Sequence, residues 1–208
     1  MSSRREMLAF ISLSRLPSDF QEVEYIENSG TQYIDTGVSV NNKFRTLFSF
    51  MYTQNNSDYN RLFGHSQQAP GYGCRSSTNS LTYFYGETNV YLTTNTQIEL
   101  NRRYLLDFNN NLHFYIDGVD QGVCADDSSL QSNDKIYLFT HSGKNNLPMT
   151  ISYIKLYFCQ IYDSNSILIR DFVPCYRKAD GEIGLYDLVN GVFYTNAGTG
   201  TFIKGGNV

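Results

Sequence analysis

The sequence has no tryptophan, only four prolines in 208 residues, and charged side chains at only 17% of positions. Its net charge is −4, and no basic cluster exceeds the pairs Arg4-Arg5 and Arg102-Arg103. Binding nucleic acid through its phosphates needs a basic stripe, so the composition argues against that class and, for the same reason, against an anionic membrane surface. No apolar run is long enough for a helix to span a bilayer. The four cysteines, Cys74, Cys124, Cys159 and Cys175, form no CxxC pair, and the three histidines are scattered, so a structural zinc site has little support. Four cysteines allow three disulfide pairings. Cys159 lies inside the apolar run "IKLYFCQIY", where a buried free thiol is at least as good a reading.

What the chain has instead is aromatic bulk and turn-forming polarity. Tyr and Phe number 17 and 14, aromatics make up 15% of the sequence, and Asn, Ser, Thr and Gly separate the apolar runs. Tyr, Phe and Thr suit a pleated, half-buried surface, and Asn and Gly suit turns, so the composition is that of an all-β protein. A chain of this length buries roughly 70% of the surface its unfolded form exposes. No Pro/Ser/Gly linker divides it, and one domain is expected.

The first sixteen residues, "MSSRREMLAFISLSRL", stand apart from the rest. Met7, Leu8 and Ile11 recur near helical spacing behind two arginines, but Arg15 interrupts the apolar stretch and no A-x-A-like site follows, which argues against a signal peptide. Residues 1–16 read as an arm, a short helix or extended segment packing on a neighbouring subunit, or as a frayed terminus. From Pro17 to residue 205 the pattern is strand after strand. "FRTLFSFMY" puts Phe44, Thr46, Phe48, Phe50 and Tyr52 on one face, and short strands follow at Arg61–Ser66, Tyr72–Arg75, Ser80–Tyr85 and Val90–Thr93. "RRYLLDFNNNLHFYIDG" reads as a hairpin closed at Asn109-Asn110-Asn111, with a second turn at Asp117-Gly118. Lys135–Thr140 and Thr150–Tyr162 are further strands, the latter expected to hold Ile154, Leu156 and Phe158 on one face. Short strands at intervals of roughly 8–12 residues, with no helical pattern between them, indicate a sandwich or barrel.

The stretch "LPSDFQEVEYIENSGTQYIDTGV" resembles the opening of concanavalin A-like, laminin-G-type jelly-roll domains of phage and prophage structural proteins and of surface proteins of gut Gram-positive bacteria. "RLFGH" with "GYGCR", "YLLDFNNNLHFYIDG", "ISYIKLYFCQIYD" and "LIRDFVPCYRKADGEIGLYDLVNGVFYTNAGTGTF" then follow in the order of that pattern, from Leu16 to about Gly205. The resemblance implies a two-sheet antiparallel jelly-roll sandwich with a concave face, where related domains bind carbohydrate or protein. It does not imply an enzyme, since one fold hosts many functions.

Three groups of residues compete for a functional role. "EVEYIE" superficially resembles the Glu-x-Asp-x-x-Glu strand of glycosidases in the same broad sandwich class, but Glu24 replaces the central Asp. In a regular strand Glu22 and Glu27 also point to opposite faces, and the segment opens the domain rather than lying on a central strand. An amphipathic strand, Val23 and Tyr25 on one face and Glu22 and Glu24 on the other, accounts for it. "DLVNG", Asp187 to Gly191, reads as a hairpin turn in which Asn190 and Gly191 supply positive φ, with Tyr186, Phe193 and Tyr194 packing beside it. The third group is the sugar-binding candidate. Sugars stack on aromatic faces and bond to Asn, Asp, Arg and Tyr, and "GYGCRSSTNSLTYFYGETNVY" offers Tyr72, Arg75, Tyr83, Tyr85, Asn89 and Tyr91, with His65 and Asp58 at the border. The competing reading packs these tyrosines inside the sandwich.

Asp126-Asp127, Asp117 with Asp120, and Asp35 are conceivable calcium ligands, but none forms a recognisable loop and turn roles suffice. No metal or other cofactor is expected. The resulting expectation is a non-enzymatic virion protein, a tail, fibre or capsid appendage that displays a carbohydrate-binding-type domain for host attachment. Its partners would be other virion or surface proteins through the arm, a host glycan, and further copies of itself in a symmetric oligomer, without nucleic acid or membrane insertion. A bacterial cell-surface or secreted adhesion module is the alternative, and a glycoside hydrolase the weakest of the three.

Overall fold

The alternation in the sequence resolves into two antiparallel sheets in a computed structural model that describes residues 15–39, 43–54, 60–65, 71–77, 80–86, 91–124 and 133–208. In chain order the strands are β1 (Phe20–Glu22), β2 (Ile26–Glu27), β3 (Ile34–Ser39), β4 (Arg45–Tyr52), β5 (Arg61–His65) and β6 (Gly71–Ser77). Then come β7 (Ser80–Gly86), β8 (Tyr91–Thr93), β9 (Arg103–Phe108), β10 (His113–Ile116), β11 (Val119–Val123) and β12 (Lys135–Leu138). The last five are β13 (Ile154–Tyr162), β14 (Leu168–Arg177), β15 (Ile183–Asp187), β16 (Val192–Thr195) and β17 (Ile203–Lys204). The larger sheet runs β11-β10-β9-β4-β13-β14-β15-β16, with β1 on β14, β2 on β13 and β17 on β2; the smaller runs β3-β12-β5-β6-β7-β8.

The core lies between the sheets and is largely aromatic. Phe44, Thr46, Phe48, Phe50 and Tyr52 are all buried, as their alternation requires. Phe48 meets Phe63 of the smaller sheet with ring centroids 5.0 Å apart, and Tyr83 stacks on Phe108 at 3.4 Å. Each fully buried ring of this kind contributes about 1.5–3 kcal/mol of apolar burial. All four cysteines are free and buried, which settles the pairing question that their number left open. Burial pushes the Cys175 thiol up to about 12 and those of Cys74 and Cys159 higher still.

Turn chemistry follows the sequence closely. Asp117 (φ 50°) and Gly118 (φ 79°) form the two-residue link between β10 and β11, where a tight hairpin needs positive φ at both positions. Between β15 and β16, Asp187 is the hub of the "DLVNG" turn. Its fully buried carboxylate accepts from the Asp171 and Val189 N–H groups at 3.0 and 3.1 Å and from Asn190 Nδ2 at 2.6 Å. Only Gly191 takes positive φ there, at 66°, because the side-chain bond from Asn190 to Asp187 holds the turn. Phe20 sits 4.9 Å from both Tyr186 and Phe193, and Tyr194 meets Phe172 at 5.2 Å.

Several placements differ from those expected. Phe158 does not share a face with Ile154 and Leu156. A β-bulge in β13 sets Tyr157 and Phe158 opposite Ser49 alone, so the alternation reverses and Cys159 and Ile161 return to the core. Val23 shares the core with Ile26 rather than a face with Tyr25, because the chain bends between β1 and β2, leaving Tyr25 half-buried on the outside. The packed domain also exceeds residues 17–205. Leu16 is buried with Val173, Cys175 and Tyr186, while the Glu24 N–H donates to Gly206 and the Val208 N–H to Glu22. Of the expected arm, residues 1–16, positions 1–14 lie outside the described residues.

Candidate functional site

The tyrosines expected to form a sugar-stacking surface lie inside the sandwich. Tyr72, Tyr83 and Tyr85 are 0%, 0% and 2% exposed. Tyr72 packs against Phe44, Phe63 and Phe108, and its hydroxyl bonds to Thr46. These rings face the larger sheet, so no ligand reaches them, and the packing alternative is the one the structure adopts. Arg75 is half-buried on the opposite side of the smaller sheet. Tyr91 pairs with Phe84 through β8, and Asn89 and Asp58 lie outside the described residues.

His65 is buried in a polar cluster. Its Nδ1 lies 2.9 Å from Ser142 Oγ and its Nε2 3.4 Å from Asp134 Oδ2. Ser, His and Asp in contact bring a hydrolytic triad to mind, but Ser142 is 0% exposed and donates to the Lys135 carbonyl, so no substrate can approach it. The cluster holds the segment after β12 onto β5, where His65 and Ser142 form a bridge. One residue earlier, His141 Nε2–H donates to the Cys74 carbonyl at 3.0 Å, and its ring lies edge-on to Phe84 at 5.1 Å. Burial pushes both histidines below their ordinary value, with Asp134 opposing the effect at His65.

One open cleft lies on the outer face of the larger sheet. It has a volume of about 430 Å³, within the range of small-ligand sites, and its floor is the non-core row of β4, β9, β13 and β14: Leu47, Arg103, Tyr157, Phe158, Gln160 and Asp171. The bulge in β13 is what puts two consecutive aromatics here. One wall comes from Arg15, Glu22 and Glu24, near the start of the described residues, and from Val208.

Most of these groups are already fixed. Arg15 Nε donates to both Glu22 carboxylate oxygens at 3.2 and 3.0 Å, and this bond raises the Arg15 pKa. Gln160 Nε2 donates to Asp171 at 3.0 Å and its Oε1 accepts from Tyr162 at 3.1 Å. The Arg103 guanidinium lies 4.0 Å over the Tyr157 ring with Nε on Ser49 Oγ at 2.9 Å. Its terminal nitrogens make no hydrogen bond among the described residues. Tyr25, edge-on to Tyr157 at 5.7 Å and capped by Lys155 at 4.3 Å, extends the aromatic surface.

Glu22 and Glu27 do not face each other across this cleft. Glu22 lines it, whereas Glu27 pairs with Lys155 at 3.9 Å beside β2. The aspartates considered as calcium ligands are bonded locally: Asp35, within β3, accepts from Gly37 N–H, Asp117, in the β10–β11 turn, from Leu105 N–H, and Asp120, within β11, from Gly122 N–H. Asp126 and Asp127 lie outside the described residues.

No protein-family model matches this chain, and no curated protein does. Solved structures do match. One, described as a "putative carbohydrate binding protein" from Bacteroides ovatus, is 12% identical with a TM-score of 0.60 over 90% of this chain. This chain spans 62% of that protein's length. Another, a native heptameric SAP-like pentraxin from Limulus polyphemus, is 9% identical with a TM-score of 0.51, covering 89% of this chain and 94% of the pentraxin. At such identities the likeness defines the fold: a two-sheet antiparallel jelly-roll sandwich of lectin-like architecture.

Proposed function

We propose that the protein is a non-enzymatic glycan-binding module whose ligand lies in the cleft on the larger sheet. The observation that carries this reading is the Arg103 fork, held on Tyr157 and Ser49 at the edge of a floor that combines aromatic rings with fixed polar groups. Arg103 would donate to adjacent sugar hydroxyl oxygens, Glu24 would accept from hydroxyls, and Tyr157 and Phe158 would meet the C–H faces of the ring. The lectin-like fold supports the reading without naming a sugar. A glycan array on the purified protein tests it. Binding that is lost in Arg103→Ala and Tyr157→Ala is the expected result; no binding, or binding indifferent to both changes, defeats it.

The setting we propose is a virion, where the domain serves host attachment through an oligomer joined by the N-terminal arm. Its support is the sequence resemblance from Leu16 to about Gly205. Neighbouring tail, capsid or lysis genes are the expected finding, whereas a setting of surface-anchored proteins would favour the adhesion-module alternative.

A further inference from the structure

Five charged side chains line the cleft, Arg15, Glu22, Glu24, Arg103 and Asp171, and only some of them have partners. Arg15 is held by Glu22, its Nε lying 3.2 and 3.0 Å from the two carboxylate oxygens. Asp171 accepts from Gln160 Nε2 at 3.0 Å and also acts on the Arg15 guanidinium. Arg103 and Glu24 are left over. Both are exposed, neither has an ion-pair partner among the described residues, and they do not pair with each other.

Arg103 gives its Nε to a neutral partner, Ser49 Oγ, and its face to Tyr157. Glu24 spends its backbone N–H on the Gly206 carbonyl, and its carboxylate accepts no hydrogen bond among the described residues. Both charges act on the same ring. Burial raises the Tyr157 pKa, and after Lys155, which lowers it, Glu24 raises it and Arg103 lowers it. An unpaired cation and an unpaired anion therefore share one aromatic floor.

Charge then separates the classes of sugar. Three carboxylates against two guanidinium groups disfavour a sugar that is only acidic. A sugar that is only cationic leaves Arg103 without an anion. A neutral sugar forgoes charge-assisted hydrogen bonds, which are roughly twice as strong as neutral ones. We propose, resting on the glycan-binding reading above, that the ligand of the cleft is a zwitterionic glycan. Its carboxylate lies on the Arg103 fork, its free amino group on Glu24, and its ring faces on Tyr157 and Phe158.

The test uses one disaccharide, glucuronic acid linked to glucosamine, in four forms: unmodified, N-acetylated, methyl-esterified at the carboxylate, and masked at both groups. Titration calorimetry, at a pH that keeps the amine protonated, should rank the unmodified form first. Esterification should weaken binding about tenfold, as loss of a hydrogen bond between charged groups implies. N-acetylation should weaken it about threefold, because the pairing at exposed Glu24 is screened by solvent. Added salt should weaken the unmodified form and leave the doubly masked one unchanged. Arg103→Gln should bind the unmodified and esterified forms alike, and Glu24→Gln the unmodified and N-acetylated forms alike. Should either variant fail to fold, the four ligand forms still decide the matter on the parent protein. Equal binding of the doubly masked and unmodified forms overturns the zwitterion and leaves the glycan-binding reading standing. So does failure of all four forms while the array returns neutral glycans. If no glycan of any charge binds, that reading falls and this one with it.

Discussion

Gly64 and Gly73 face each other on β5 and β6, and a side chain at either would have no space. Gly64 has φ of 129°, and a Cβ there would fall inside the Tyr72 carbonyl oxygen. Gly64→Ala should therefore lower stability by about 3 kcal/mol or more, read from urea denaturation, because strain and a backbone clash act together. Asp187 is the second sensitive position. Its removal takes the acceptor from the part-buried Asp171 and Val189 N–H groups and one of two bonds from the Asn190 amide, which keeps the Ile169 carbonyl, and Asp187→Ala should cost about 2 kcal/mol. That Asp187 to Gly191 form a hairpin turn was legible from "DLVNG", but the reliance on the Asp187 carboxylate in place of a positive φ at Asn190 was not. The fate of Tyr72, Tyr83 and Tyr85 was not. An aromatic that alternates with Gly, Thr or Phe fits a core and a binding face equally, and only the sheet packed against it decides.

Among the elements, β13 joins fold to function. Its bulge takes Tyr157 and Phe158 out of the core register and gives the cleft its aromatic floor. Arg103→Ala and Tyr157→Ala should abolish glycan binding while changing stability by only about 1 kcal/mol, because both side chains lie on the outer face. The outward placement of Arg103 was readable from the alternation of "RRYLLDF". The bulge was not, because an extra residue in a ladder leaves no mark in a run as apolar as "IKLYFCQIY". The edge strand β11 is managed differently. The Asp120 carboxylate takes the Gly122 N–H at 2.8 Å, and the Gln121 amide takes the Val119 carbonyl at 3.1 Å, so the chain's own side chains occupy groups that another strand would seek. Asp120→Ala combined with Gln121→Ala should raise the rate of concentration-dependent self-association, measured by light scattering.

At the scale of the whole molecule, acid should loosen the smaller sheet first. His65 and His141 are held neutral by burial, so the folded chain binds fewer protons than the unfolded chain. Their contribution is complete above the ordinary histidine value of about 6.5 and is lost as pH falls below it. For the fully buried His141 the loss approaches about 1.4 kcal/mol per pH unit. Urea midpoints at pH 7.5, 6 and 5 should fall in that order, and His141→Gln should flatten the decline.

The pairing of Val23 with Asn207, and of Glu22 with Val208, sets both ends of the described domain at the rim of the cleft. Anything attached after Val208 leaves through the same doorway that a ligand uses. An affinity tag after Val208 would crowd that doorway. A circular permutant that joins the ends by a short linker and opens the chain at the exposed Asp117-Gly118 turn would carry its tag away from it, and is the better form for display or crystallisation with a sugar.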